Sequence, residues 1–371
     1  MARGTNAVVD LGALQHNFRV IKERVGSSRV LSVVKADAYG HGIERVAAAL
    51  KQSDGFGVAI MEEAIRLRDA GVRQPIVLLE GVTHPGFLSE AAEQQLDVVV
   101  HNQEQLDFVL AAKLSRPIGI WLKFNTGMHR LGIEETQLAA SYQALANCEH
   151  VAGIVLASHL ACADEPDKSH CQAQQQRFQR AVDRLNPANP VCSLANSAGV
   201  FALPSSHYDW VRPGISLYGA SPLEEITAQS LALRPVMELQ SSVIATRTVQ
   251  PGETVGYGAT WQATAETPVA IVGIGYGDGY PRHVAQGAPV LIRGIRCPMV
   301  GRVSMDMLAV DLSPLIAAEQ SGHHSPVALG ESVVLWGNGL PVEEIAQAAG
   351  TINYELLCQV TGRVKRVYRE T

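Results

Sequence analysis

The chain has 371 residues, of which 47% are apolar and 18% charged. It is too long for one ordinary core and too apolar to be disordered, so two domains are expected. A formal net charge of −6 speaks against nucleic-acid binding, which usually requires a basic face; apart from Arg363, Lys365 and Arg366, which read as a solvated tail, the basic residues are scattered.

The six cysteines (Cys148, Cys162, Cys171, Cys192, Cys297 and Cys358) form no CxxC pair and no regular framework, so neither a zinc site nor a disulfide scaffold is expected. The start, MARGTNAVVDL, lacks the basic region, apolar stretch and cleavage site of a secretion signal. No apolar run approaches the length of about 18 residues needed to cross a membrane. These features lead us to expect reduced thiols and a cytoplasmic protein.

Taken in order, residues 1 to about 230 alternate short apolar runs with longer stretches of helical spacing. The runs are Val8–Leu11, Val30–Val34, Gly55–Val58, Ile76–Leu79, Val98–Val100, Ile118–Phe124, Val151–Ala157, Val191–Leu194 and Ile215–Tyr218. Helices are expected at Leu14–Val25, Glu44–Gln52, Glu62–Ala70, Glu104–Lys113, Glu134–Leu145 and Cys171–Leu185. Strand then helix, repeated about eight times over this length, predicts an α/β fold with an N-terminal (β/α)8 TIM-like barrel spanning 1–232. The rival, an open doubly wound sheet, usually shows GxGxxG after its first strand, and none occurs here. From about 233 to 371 the texture changes to short strand-like runs (241–249, 268–274, 289–295, 299–303, 307–312, 332–336) between Gly- and Pro-rich turns. A mostly β domain is expected, with helices at Val342–Ala349 and Tyr354–Val360. His323 and His324 sit in a Ser/Gly/Pro setting without partner ligands nearby and read as a loop.

The barrel makes a sharp prediction, because functional residues in that fold follow the C-terminal ends of strands. Lys35 follows Val33-Val34, and Lys123 ends Ile118–Leu122. His159 follows Ile154–Ser158, Asn196 and Ser197 follow Val191–Leu194, and Arg212 follows Asp209–Val211. Each alone has a structural reading, as a rim lysine, a core histidine or an ion-pair partner. Together they describe one rim. A lysine at a buried strand end can form an imine with a carbonyl, since desolvation frees its amine. Gly214 and Ile215 offer backbone N–H groups, and Tyr39 and Ser197 offer hydroxyls, all suited to a phosphate.

The segment VVKADAYGHG (33–42) resembles the pyridoxal-phosphate lysine motif of the alanine racemases. Further matching segments follow in one order across both domains: LKFNTGMHRLG (122–132), SHLACAD (158–164), ANSAG (195–199), RPGISLYG (212–219), VGYGATW (255–261), GIGYGDGY (273–280), GRVSMDM (301–307) and INYEL (352–356).

The resemblance implies that Lys35 holds pyridoxal 5′-phosphate as a Schiff base and serves as one acid/base. It implies that Tyr257, contributed by the other subunit of a homodimer, is the second. Two bases on opposite faces of a planar carbanion invert the centre. A phenol is a weak base near neutral pH, and the family answers with a chain from this tyrosine through His159 to Arg212. By the same resemblance Arg212 faces the pyridine nitrogen, keeps it unprotonated and so favours racemisation over decarboxylation or amino transfer. Tyr39, Ser197, the N–H of Ile215, and Tyr354 match phosphate ligands, with Gly214 giving backbone access. Asn196 belongs with the cofactor-binding positions. Arg130 matches the arginine that holds the cofactor's phenolic oxygen and the substrate carboxylate. Met305 offers that carboxylate its N–H, and Asp306 beside it orients neighbours. Tyr276 and Tyr354 resemble an aromatic gate, and Lys123 matches a lysine that is N-carboxylated in many members.

The implied reaction is interconversion of L- and D-alanine, for peptidoglycan or for alanine breakdown, with no nucleic acid, membrane or metal involved. The rivals are a serine or broad-range racemase of the same fold, a decarboxylase of similar architecture, and a pyridoxal-phosphate carrier. Arg212 opposes the decarboxylase. The second domain and Tyr257 oppose the carrier.

Overall fold

The computed structural model describes residues 4–185, 190–319 and 326–370. His323 and His324 therefore lie outside the described residues. The chain divides into two compact units, one of residues Leu14–Ala38 and Gly42–Leu233, the other of Met1–Ala13, Tyr39–His41 and Arg234–Thr371.

The strands of the first half are β1 (Asn6–Asp10), β2 (Arg29–Val33), β3 (Gly55–Val58), β4 (Ile76–Leu78), β5 (Leu96–Val100), β6 (Ile118–Lys123), β7 (Val151–Ala157), β8 (Val191–Asn196) and β9 (Trp210–Arg212). Strands β2 to β9 form a closed parallel barrel, and β9 returns to β2 through Arg29↔Trp210 and Val30↔Val211. The helices are α1 (Leu11–Val25), α2 (Lys35–Gly40), α3 (Ile43–Ala49), α4 (Met61–Asp69), α5 (Gly86–Glu93), α6 (Gln103–Ala111), α7 (Glu135–Ala146), α8 (Ser169–Arg184) and α9 (Ser197–Ala202). The TIM-like barrel expected from the sequence is therefore present. Its interior is packed, not a pore. Leu31, Val77, Val99, Trp121, Ala157 and Trp210, from six strands, form one buried cluster, with the two indoles 5.7 Å apart. An interior filled by bulky side chains leaves the C-terminal strand ends to carry functional groups.

Two strand expectations are corrected. Val8–Leu11 does not join the barrel: β1 pairs antiparallel with the long strand β10 (Met237–Val249) and parallel with the last strand of the chain. Ile215–Tyr218 is a buried 3-10 turn, and the eighth barrel strand is β9, just before it.

After β10 come β11 (Thr254–Val255), β12 (Trp261–Gln262), β13 (Thr267–Val272), β14 (Pro289–Ile292), β15 (Ile295–Val300), β16 (Leu308–Asp311), β17 (Ser332–Trp336) and β18 (Lys365–Arg369). Between them lie α10 (Ser313–Glu319), α11 (Val342–Ala348) and α12 (Asn353–Cys358). Eight strands, β1 among them, form one sheet in the order β13-β16-β15-β14-β17-β10-β1-β18, and β10 also pairs with β13. Register shifts at Leu239/Gln240 and Val243/Ala245 let the 13-residue β10 turn from one set of neighbours to another. The mostly β second domain is thus as expected. Its last strand is not a solvated tail. Arg366 donates to the carbonyls of Gly40, Val360, Thr361 and Val364, and Arg363 is ion-paired, as described below.

Candidate active site

Strand β2 delivers Lys35 to solvent at the start of α2. This turn is left-handed: φ is positive at five consecutive residues, Ala36 to Gly40, between 53° and 78°. For L-residues that conformation costs roughly 1–2 kcal/mol each, so it persists only where the surroundings over-determine it. Here they do. Ala38 N–H donates to the Val34 carbonyl at 2.8 Å and Gly42 N–H to the Asp37 carbonyl at 2.9 Å. The Asp37 carboxylate accepts from Ile43 N–H and from Arg66, while Asp37 N–H donates to Glu63. A Cβ at Gly40 would lie 2.3 Å from the Leu357 carbonyl oxygen, so the turn can end only on glycine.

Three cationic side chains act electrostatically with Lys35 here: Lys123, the last residue of β6, Arg130 in the loop that follows, and Arg212, the last residue of β9. None has a carboxylate within ion-pair distance among the described residues, and Lys35, Lys123 and Arg130 have no hydrogen-bond partner there. Arg212 is buried. Its guanidinium is held by Ser193 Oγ, the Ser158 and Leu194 carbonyls, and His159 Nδ1 at 3.4 Å. Burial pushes Arg212 down to about 10, which leaves it charged at neutral pH.

Burial, with that unbalanced charge added to it, sets the protonation of its neighbours. Burial, then Arg212, Lys123, Arg130 and Lys35, lower His159 well below the usual imidazole range, so it is neutral. A guanidinium only donates, which assigns the lone pair to Nδ1 and the proton to Nε2. Burial, then Arg212, Arg130 and Lys35, push Lys123 down to about 8.

Beside this cluster lies a compact donor set. Ser197 Oγ accepts from Gly214 N–H at 2.8 Å, Ser216 Oγ at 3.1 Å and Ser216 N–H at 3.5 Å. The N–H of Ile215, which is fully buried, finds no acceptor among the described residues. Asn196 is turned to structural use, its Oδ1 capping α9 at Gly199 N–H and its Nδ2 donating to the Leu160 carbonyl.

The remaining predicted residues belong to the second unit. Tyr257 stands at the tip between β11 and β12, flanked by Gly256 and Gly258 at φ 76° each, and is 71% exposed. It lines an open cleft of about 800 Å³ with Arg302, Met305 and Asp306. Met305 N–H has no acceptor among the described residues. Tyr276 is tied to the Met305 loop by backbone bonds, Tyr276 N–H to the Ser304 carbonyl at 3.1 Å and Gly277 N–H to the Met305 carbonyl at 2.9 Å. A Cβ at Gly275 would lie 2.2 Å from the Ser304 oxygen, so this close approach requires glycine. Tyr39 and Tyr354 pack with ring centroids 6.1 Å apart. Burial, then Tyr354, raise the Tyr39 phenol far above its ordinary range, so its hydroxyl keeps its proton.

Comparison with known proteins bears on this arrangement. Residues 9–222 match the family "Alanine racemase, N-terminal domain", and residues 236–368 match "Alanine racemase, C-terminal domain". The chain is 46% identical to the alanine racemase of Stutzerimonas stutzeri over 363 residues, covering 98% of each, and 44% identical to that of Vibrio cholerae over 367 residues, covering 99% and 98%. Among solved structures, the biosynthetic alanine racemase from Pseudomonas aeruginosa superposes with a TM-score of 0.93 at 43% identity, and that of Acinetobacter baumannii with 0.92 at 40%; each covers 99% of this chain and 100% of the other. The chain belongs to the alanine racemase family.

Some residues that shape this racemase-family site were not apparent from sequence. Ser158, Ser193 and Ser216 hold Arg212 and Ser197, but serine is too common to stand out. Asn125 organises the loop bearing Arg130: its Oδ1 accepts from Gly127 and His129 N–H, and its Nδ2 donates to Glu134. The Asn-Thr-Gly pattern is a turn signal that could have pointed to it. Arg363 bridges Asp306 at 2.6 Å and Asp278 at 3.3 Å, joining the Met305 and Tyr276 segments.

The left-handed turn generates a prediction. Ala36 is exposed, so Ala36→Gly removes strain without loss of packing. Denaturant titration should show it more stable by about 0.5–1 kcal/mol, the reverse of the usual effect of glycine in a helix. A loss of stability would refute the strain assignment.

Proposed function

We propose that this chain interconverts L- and D-alanine with pyridoxal 5′-phosphate as its cofactor. The family match along both halves of the chain supports the reading. The observation that carries it is Arg212, a buried guanidinium without an acid partner, in the same charged cluster as Lys35. A guanidinium beside a pyridine nitrogen cannot give up a proton to it, which favours racemisation over reactions needing fuller electron withdrawal.

The donor set fits the cofactor. Lys35 offers an amine for its carbonyl carbon, and the Ser197 hydroxyl and the Ile215 N–H offer donors for its phosphate, with Gly214 and Ser216 holding Ser197 in place. Cations without carboxylates favour an anionic ligand. When bound, pyridoxal 5′-phosphate supplies a conjugated ring that spreads negative charge from the substrate's Cα.

The chain's own residues do the rest. Lys35 moves the α-proton on one face. Tyr257 of a second copy, as a homodimer would supply it, moves a proton on the other. His159, neutral and protonated at Nε2, donates to the phenolate oxygen, and Arg212 behind it stabilises that charge. Arg130 holds the substrate carboxylate, and the N–H of Met305, which lines the cleft of Tyr257 and is steadied by Asp306 under Arg363, gives it a second donor from that same second copy. Tyr276 narrows the approach in favour of a small side chain.

Incubation of L-alanine with the protein in D₂O tests this. D-alanine carrying α-deuterium should appear with total alanine constant; carbon dioxide or pyruvate in its place would refute racemisation, and equal turnover of L-serine would broaden the substrate. Lys35→Ala should abolish the reaction. Because enantiomers have equal free energy, Tyr257→Phe must lower kcat/KM equally in both directions, by about 10²–10⁴-fold for loss of one acid/base. One enantiomer should nonetheless keep exchanging its α-hydrogen with solvent through Lys35. Equal loss of exchange by both would contradict two bases on two faces.

We further propose that Lys123 is carboxylated. The ammonium first gives one proton to solvent; the freed amine nitrogen then bonds to the carbon of CO₂, one C=O π pair passes to oxygen and a second proton leaves the nitrogen, so that a cation becomes an anion among Arg130, Arg212 and Lys35. The free amine predominates only above about 8, so occupancy falls as pH falls through that value. With ¹³C-bicarbonate, a carbamate NMR signal should appear at alkaline pH, fade on acidification and be missing in Lys123→Met. A signal unchanged in that variant would exclude Lys123 as its source.

A further inference from the structure

The loop carrying Arg130 and the loop carrying His159 meet at one side chain that belongs to neither. Gln174, on α8, is 1% exposed. Its Nε2 donates to Thr126 Oγ1 at 3.1 Å and to the His159 carbonyl at 2.9 Å, and its Oε1 accepts from Ala161 N–H at 2.9 Å. The amide cannot be flipped, because that would set donor against donor at Ala161 and acceptor against acceptor at His159.

This fixed amide gives direction to a chain of hydroxyls. Thr126 accepts from Gln174, so its own proton goes to Ser158 Oγ, 2.7 Å away. Ser158 in turn donates to the Phe124 carbonyl at 2.8 Å. Each bond in such a series polarises the next. The series starts on α8 and ends on the residue after Lys123. Along the way it passes through Ser158, whose carbonyl accepts from Arg212. One buried amide therefore fixes the backbone at His159 and, through Thr126, the loop of Arg130.

We propose that Gln174 is a positioning residue for the racemase reaction, holding the Arg130 and His159 loops in one register through Thr126 and Ser158. The inference rests on the functional reading above, in which Arg130 and His159 serve catalysis.

A double-mutant cycle on the cofactor-loaded enzyme tests it, using Gln174→Glu, Thr126→Val and their combination. The carboxylate keeps the size of the amide but cannot donate to Thr126 or His159. Each single variant should lower kcat about 10–100-fold, as expected of sub-ångström misplacement. The combination should be no worse than the poorer single variant. Thr126→Ser, which keeps the hydroxyl, should restore most of the rate. The pH profile of kcat should shift in Gln174→Glu, because the groups whose protonation matters have moved. Effects that multiply, or a pH profile that superposes on the parent's with a rate loss matching the unfolded fraction, would overturn the proposal.

The same cycle read by thermal unfolding needs no turnover. Each single variant should lower the midpoint by about 2–4 °C, again without additivity. If the parent chain fails to racemise alanine, the functional reading falls while this linkage is still measured. If the parent is active and the variants act independently, only the role of Gln174 falls.

Discussion

Positive charge without a compensating carboxylate is the constraint on which the barrel's site depends. Lys35, Lys123, Arg130 and Arg212 act on one another and on His159, and desolvation strengthens every such interaction. The consequences follow from burial first and from the sign of the surrounding charge second. An imidazole among cations gives up its proton, and an amine among them becomes available as free base. An anion that enters gains what the side chains lack from each other. Because the Arg212 guanidinium only donates, it also dictates which nitrogen of His159 keeps its hydrogen. Charge balance, protonation and ligand preference are one property seen three ways.

The scaffold supports that arrangement by filling its interior with bulky side chains and setting the charged groups of the site at strand ends and in the loops after them. Trp121 and Trp210 fill the barrel below the site, while Lys123 and Arg212 occupy the final positions of β6 and β9. The longest run of left-handed backbone, Ala36 to Gly40, directly follows Lys35. The left-handed turn is anchored by Asp37, Glu63 and Arg66. A cluster of like charges and a strained turn both destabilise the isolated chain. Their concentration at one rim is the familiar sign of a functional site.

Much of this was legible in the sequence, for reasons that can be stated. The rhythm of apolar runs and helical stretches gave the barrel, and the change to short runs between Gly and Pro gave the β domain. Strand ends then marked Lys35, Lys123, His159, Ser197 and Arg212. The failures are equally physical. Val8–Leu11 has the apolar pattern of a buried strand, but periodicity does not name the partner, and β1 joined the other sheet. Ile215–Tyr218 is buried on all sides, and a buried 3-10 turn looks like a buried strand. Nothing in Lys-Ala-Asp-Ala-Tyr announces a left-handed turn, since only Gly40 favours that region. Arg363 and Arg366 looked solvated because their acceptors, Asp306 and the Gly40 carbonyl, are distant in sequence. The links through Gln174 and the serines depend on which hydroxyls meet, and only the folded chain tells that.

The state of His159 reports on this charge balance. Nitrogen-15 NMR of the ring, compared with His159→Gln for assignment, reports both protonation and tautomer. A neutral ring with its proton on Nε2 from about pH 5 to 8, where an ordinary histidine titrates, is the predicted result. An imidazolium forming near pH 6.5, or a proton on Nδ1, would contradict it: the cations would not then be governing the site.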